Sequence, residues 1–105
     1  MCGFVGMASR LAPVDEDWLF RGAEMLAHRG PDQSGLFLSE NSNVGLAHRR
    51  LATVDLSLAG RQPMRNRAVG ATVVLNGEIY NYKELRDILS KRGCVFHSGS
   101  DTEVI

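Results

Sequence analysis

The order of elements readable in this 105-residue chain predicts an α+β fold. Three observations carry it: short, glycine-punctuated apolar runs of strand length, two stretches of helical periodicity between them, and turn signals at hairpin spacing. With 44% hydrophobic side chains the chain can fill one small core. Domains take upwards of roughly 50 residues apiece, so it is one unit or a piece of one.

The apolar stretch from Cys2 to Ser9 predicts a buried strand that sets its first residue at a sheet end. Pro13, followed by Asp15, Glu16 and Asp17, predicts a helix start with negative charge at the positive end of the dipole. Leu19, Ala23 and Leu26 repeat at i, i+4 and i+7, and the helix should stop near His28, before Gly30-Pro31. A strand over Gly35 to Ser39, the polar turn Glu40 to Asn43 and a third strand from Val44 to about Leu51 read as a hairpin. Asp55 to Ala68 lacks periodicity and reads as a long surface loop of the kind that often carries function. A strand over Ala71 to Leu75 then meets Asn76-Gly77, a strong short hairpin signal. Asn81 with Glu84 resembles a helix N-terminal box, Leu85, Ile88 and Leu89 form an apolar stripe, and Gly93 sits just past the end. Cys94 to His97 reads as a short strand with Cys94 in the core. Ser100 and Glu103 have capping-box spacing, Asp101 falls in the first turn, and Val104-Ile105 begin the apolar face of a helix.

Twelve Lys plus Arg balance twelve Asp plus Glu, so the chain offers no net field for nucleic acid or an anionic bilayer. No apolar run approaches the roughly 18 residues of a membrane span, and the first residues show no basic n-region followed by an apolar h-region, which predicts a soluble, unexported chain. Cys2 and Cys94 are too far apart for a Cys-x-x-Cys pattern and too few for a disulfide scaffold, which predicts a cytoplasmic protein.

Cys2 is the most informative position. Initiator methionine is commonly removed before a small residue, which would leave a first cysteine bearing both a thiol and a free α-amino group. Their reference pKa values, about 8.5 and about 8, are close enough to neutrality for proton exchange, so one residue can hold nucleophile and base. The plainer reading of such a cysteine is a small buried hydrophobe. Asn76 and Gly77 can offer a side-chain amide and an unobstructed backbone N–H to a developing oxyanion, or can form an ordinary turn. Arg50 offers a bidentate fork to a carboxylate, and Glu78 and Asp101 offer acids to an ammonium; each alone also reads as a surface charge. His28, His48 and His97 lack metal-ligand spacing, and neither a serine-hydrolase elbow nor a P-loop occurs.

Taken together, Met1-Cys-Gly-Phe-Val-Gly6, His28-Arg-Gly-Pro-Asp32, Leu46-Ala-His-Arg-Arg-Leu51, Leu75-Asn-Gly-Glu-Ile-Tyr-Asn81 and Ser98-Gly-Ser-Asp-Thr-Glu-Val-Ile105 resemble the class II glutamine amidotransferase domain of asparagine synthetases. The resemblance implies the N-terminal part of an N-terminal-nucleophile hydrolase fold, a four-layer α/β/β/α sandwich of antiparallel sheets, that hydrolyses glutamine to glutamate and ammonia. It implies Cys2 as the nucleophile forming a thioester, Asn76 and Gly77 as the oxyanion hole, and Arg50 as the clamp on the glutamine α-carboxylate. Leu51 and Val54 would line that wall, with Glu78 and Asp101 near the α-ammonium. Residues from His28 to Asp32 and from Tyr80 to Tyr82 would support the site.

The resemblance implies that residues 1–105 are part of such a domain, truncated and without the synthetase domain. No cofactor is expected in this segment; ATP and Mg²⁺ are implied for the missing domain, which passes the ammonia to an activated aspartate. The partners implied are glutamine and the chain's own C-terminal synthetase domain, with room for a homodimer and no nucleic acid or membrane. Two rival readings remain: another N-terminal-nucleophile amide hydrolase, and a non-catalytic binding fragment.

Overall fold

In the computed structural model, which describes residues 1–105, the chain runs through β1 (Gly3–Ala8), α1 (Glu16–Met25), β2 (Gln33–Leu38), β3 (Val44–Arg50), β4 (Met64–Asn66), β5 (Ala71–Val73) and α2 (Tyr82–Lys91). Short 3₁₀ helices lie at Leu58–Gly60 and Asp101–Val104. β3 sits between β1 and β2 and pairs antiparallel with both, while β4 and β5 form a separate antiparallel ribbon. Helices with antiparallel sheets agree with the α+β class. No helix is long and apolar enough to cross a membrane.

α1 begins where its acids predict, because the Asp15 carboxylate caps the helix by accepting from the Trp18 amide at 3.0 Å. Leu19 and Ala23 point to the sheet and form the buried core with Val14 and Ala47, against which Val5 and Leu38 pack. Strand alternation then assigns the faces: Ala47 looks toward α1, and its neighbours His48 and Leu46 look the other way. That second face is where the site is built.

Register carries Cys2 to it. Gly3 pairs with Arg49 and Gln33 with Arg50, so the ends of β1 and β2 flank the end of β3. Gly35, opposite His48, has no side chain, and a Cβ there would strike the Gln62 carbonyl. The loop around Gln62 can therefore lie directly on the sheet.

Several boundaries differ from the sequence reading. α1 ends at Met25 and is continued by turns, in which Arg29 and Gly30 donate to the Leu26 carbonyl, so regular helix stops three residues short of His28. The segment 55–68 contains a 3₁₀ helix and β4, and β4 supplies the partner of β5. The hairpin therefore closes over residues 67–70, and Asn76-Gly77 is a bend with no strand after it. Residues Cys94–His97 form no strand, as no strand lies beside them to complete a ladder, and Cys94 is exposed. The Asn81 side chain makes no capping bond. At its other end α2 follows expectation: Gly93 takes φ +92°, its amide donates to the Ser90 carbonyl and that of Cys94 to Leu89, both at 3.0 Å. Ser100 does cap the last element, which is 3₁₀, while Glu103 turns back to the His97 and Ser98 amides.

Leu19 is completely buried and Leu11 fully exposed, which separates packing from composition. Leu19→Ala should lower the unfolding free energy by about 2–5 kcal/mol in urea titrations, whereas Leu11→Ala should change it by less than about 0.5 kcal/mol.

Candidate active site

A cavity of about 370 Å³ opens on the sheet face opposite α1, between the end of β3 and the segments around Leu75 and Asp101. It is lined by Cys2, Arg50, Leu51, Val54, Asn76, Gly77, Glu78 and Asp101, so the eight residues that the resemblance implies for catalysis and substrate binding come to one place, while His28, His48 and His97 lie outside its lining. Met1, Thr53, Gln62, Leu75, Tyr80, Ser100 and Thr102 complete the wall.

The thiol of Cys2 is fixed by the main chain of Leu51, accepting from its amide at 3.3 Å and donating to its carbonyl at 3.6 Å. Arg29 Nε donates to the Cys2 carbonyl at 3.1 Å, and Asp32 accepts from the Ala52 amide at 2.8 Å. The stretch from His28 to Asp32 thus braces the residues on either side of the thiol. Tyr80, by contrast, is largely exposed at the rim.

Arg50 is buried and not a surface charge. Its Nη1 donates to Gln33 Oε1 at 2.9 Å and to the Ser57 carbonyl at 3.3 Å, and its Nη2 donates to the Asp55 carbonyl. Three of the five N–H groups of a guanidinium are so engaged, all with neutral acceptors, and two remain. Asp101 is buried as well and accepts from two amides, Ile79 at 2.8 Å and Thr102 at 2.9 Å. Neither residue joins an ion pair; the pairs present are Arg49–Glu24 and Arg86–Glu103. Glu78 is exposed, as are Asn76 and Gly77.

Sequence reasoning missed the buried polar groups behind this wall. Gln62 accepts from the Leu75 amide at 2.6 Å and donates to Thr102 Oγ1 at 3.1 Å, joining three segments. A glutamine in an aperiodic polar loop carries no spacing signal. His48, weighed only as a metal ligand, is completely buried with Nε2 at 3.3 Å from the Leu75 carbonyl. Its place in β3, alternating with Ala47, was the readable clue.

The sequence profile described as "Glutamine amidotransferase domain" matches residues 1–105. The chain belongs to the glutamine amidotransferase domain family. It is 40% identical to asparagine synthetase [glutamine-hydrolyzing] 1 of Bacillus subtilis over 109 aligned positions, covering 100% of this chain and 17% of that protein. It is 45% identical to asparagine synthetase B [glutamine-hydrolyzing] of Escherichia coli over 83 positions, 79% of this chain and 14% of that protein. It is also 40% identical to the amidase chry2 of Gibberella zeae over 82 positions, 78% of this chain and 12% of that protein. The chain thus spans less than a fifth of the length of these curated relatives.

Around this amidotransferase-family cavity, three titratable groups are displaced. Burial pushes His48 below its ordinary 6.5, the Arg50 charge adds to that, and only the Leu75 carbonyl opposes it. Asp55 is held low by the hydroxyl and amide of Ser57 and by the Gly99 amide. Glu103 pays burial but is held low overall by Ser98, the His97 amide and Arg86. Between the lowered value of His48 and 6.5 the unfolded imidazole takes up a proton that the folded one refuses, so this contribution is complete above 6.5 and declines as pH falls. The two carboxylates lose theirs further into acid, as pH drops through their lowered values. Urea titrations should therefore show stability rising with pH on the acid side of 6.5, and His48→Gln should flatten that rise.

Proposed function

We propose that residues 1–105 form the front part of the glutaminase domain of an asparagine-synthetase-like enzyme, within an N-terminal-nucleophile four-layer sandwich. One observation carries the reading: a single cavity gathers a thiol, a buried guanidinium and a buried carboxylate, with neither charge paired to another. An amino acid zwitterion with a side-chain amide supplies what each group lacks. Family membership and the names of the relatives support glutamine as that substrate.

In this reading the glutamine α-carboxylate takes the two remaining N–H donors of Arg50, and its α-ammonium faces Asp101 and Glu78. Leu51 and Val54 form the wall beside it. Met1 is largely exposed, and its removal frees the α-amino group of Cys2. The thiolate attacks the side-chain amide carbon, while the thiol proton passes through the α-amino group to the departing nitrogen. The Asn76 amide and the Gly77 N–H receive the oxyanion. Ammonia leaves a thioester, and water then attacks it, restoring the thiol and releasing glutamate.

The ammonia would pass to an aspartate carboxylate in a synthetase domain of the same protein, where ATP with Mg²⁺ supplies the acyl activation. Within residues 1–105 no three His, Cys, Asp or Glu side chains come together as a metal site. A reducing cytoplasm suits a mechanism that needs a free thiol.

A glutamine-analogue electrophile should label Cys2 of a Met1-free chain, read by mass spectrometry, and an adduct elsewhere would sink the assignment. Arg50→Lys, which keeps the charge but not the fork, should raise KM for glutamine by about 10-fold or more, with a smaller effect on kcat. An unchanged KM would point to a different acyl substrate.

A further inference from the structure

We infer that His48 and Gln62 are positioning residues for Asn76 and Gly77: together they grip both main-chain polar groups of Leu75, the residue from which those donors project. The inference rests on the glutaminase reading above. The Leu75 carbonyl lies 3.3 Å from His48 Nε2, and the Leu75 amide donates to Gln62 Oε1 at 2.6 Å. Both side chains are buried, and both stand on firm supports. His48 is in the middle strand of the three-stranded sheet, and Gln62 is tied in turn to Thr102 and seated over Gly35. On the far side of the bend, the Ile79 amide is held by Asp101. The exposed bend over residues 76–78 is thereby fastened at both ends to buried groups, although its own side chains have little to pack against.

The protonation state of His48 follows from the same geometry. A carbonyl oxygen can only accept, so the ring proton sits on Nε2. Nδ1 is then a lone-pair nitrogen, and it is the one buried side-chain polar atom in the chain without a partner. An apolar residue would avoid the cost of that unpartnered atom. What the histidine gains is the bond to Leu75. A second proton would put a charge on Nδ1 with no acceptor, close to the buried Arg50, so the neutral donor is the form that persists.

Pre-organised oxyanion donors act through their position, and small misplacement costs turnover more than substrate affinity. In the protein at its native full length, His48→Leu and Gln62→Met should each lower kcat for glutamine hydrolysis roughly 10- to 100-fold while KM stays within about twofold. His48→Gln, whose amide can still donate to the Leu75 carbonyl, should recover most of that loss. Hydrogen–deuterium exchange should quicken over residues 74–80 in the two damaging variants and remain unchanged in α1, a pattern that general destabilisation does not produce. The inference is overturned by folded variants with undiminished kcat, by a loss confined to KM, or by His48→Gln performing no better than His48→Leu. Where His48→Leu does not fold, Gln62→Met and its exchange pattern decide the matter. Labelling of Cys2 in the unsubstituted protein with full turnover in every variant would overturn this inference alone, whereas an unsubstituted protein that hydrolyses no glutamine would overturn the glutaminase reading beneath it.

Discussion

Burying the guanidinium of Arg50 is the constraint from which the cavity follows. A cation withdrawn from water must recover acceptors, and Arg50 finds them in the carbonyls of Asp55 and Ser57 and in the side-chain oxygen of Gln33. The chain leaving β3 must therefore fold back over the guanidinium within a few residues. Gly60 leaves room for it, since a Cβ there would meet the guanidinium itself. This return also places the Asp55 carboxylate where it accepts from the Gly99 amide at 2.7 Å. The turn that carries Asp101 is thus docked on the loop that solvates Arg50, and the two buried charged groups of the cavity are mechanically connected.

The two faces of the three-stranded sheet are held by different physics. Toward α1 the contact is a small apolar core of Val14, Leu19, Ala23 and Ala47. On the other face the buried side chains are His48, Arg50, Gln62, Ser100, Asp101 and Thr102. Polar groups outnumber apolar ones among buried side chains, so the site is specified by directed bonds more than by filled volume. Such bonds fix the positions of polar groups more tightly than apolar packing does. They also make that face sensitive to proton uptake, whereas the α1 face has no titrating group in its core.

How much was legible in the sequence follows from this division. The α1 face was readable because its determinants are local or periodic: Asp15 at a cap, Leu19 and Ala23 one turn apart, and the polar turn between β2 and β3. The C-terminal stop of α2 at Gly93 was readable for the same reason, since only glycine takes that backbone conformation without strain. Asn76-Gly77 misled as a hairpin because its local signal is identical to that of a tight bend, and only the presence of β4 decides which strand β5 joins. Cys94 to His97 has strand-like composition but no neighbour to pair with. Asn76, Arg50 and Asp101 are expected together through the resemblance of whole blocks, and all three line one cavity. Gln62 is not, because its two bonds reach Leu75 and Thr102, 13 and 40 residues away, and nothing in its own surroundings records either.

The identity of the groups that solvate Arg50 and Asp101 is what gives the cavity its chemical character. Had the two charges been paired with each other, the cavity would be electrically quiet, and a ligand would have to break an ion pair before entering. Instead the cation is held by carbonyls and an amide oxygen, and the anion by amides. Neutral partners lower the cost of burial without cancelling the charge, so both fields stay directed into the cavity. Opposite charges on separate walls favour a molecule that carries both signs at a set separation. The net charge of the chain is zero, so the character of the cavity rests on where its charges stand and not on how many the chain carries.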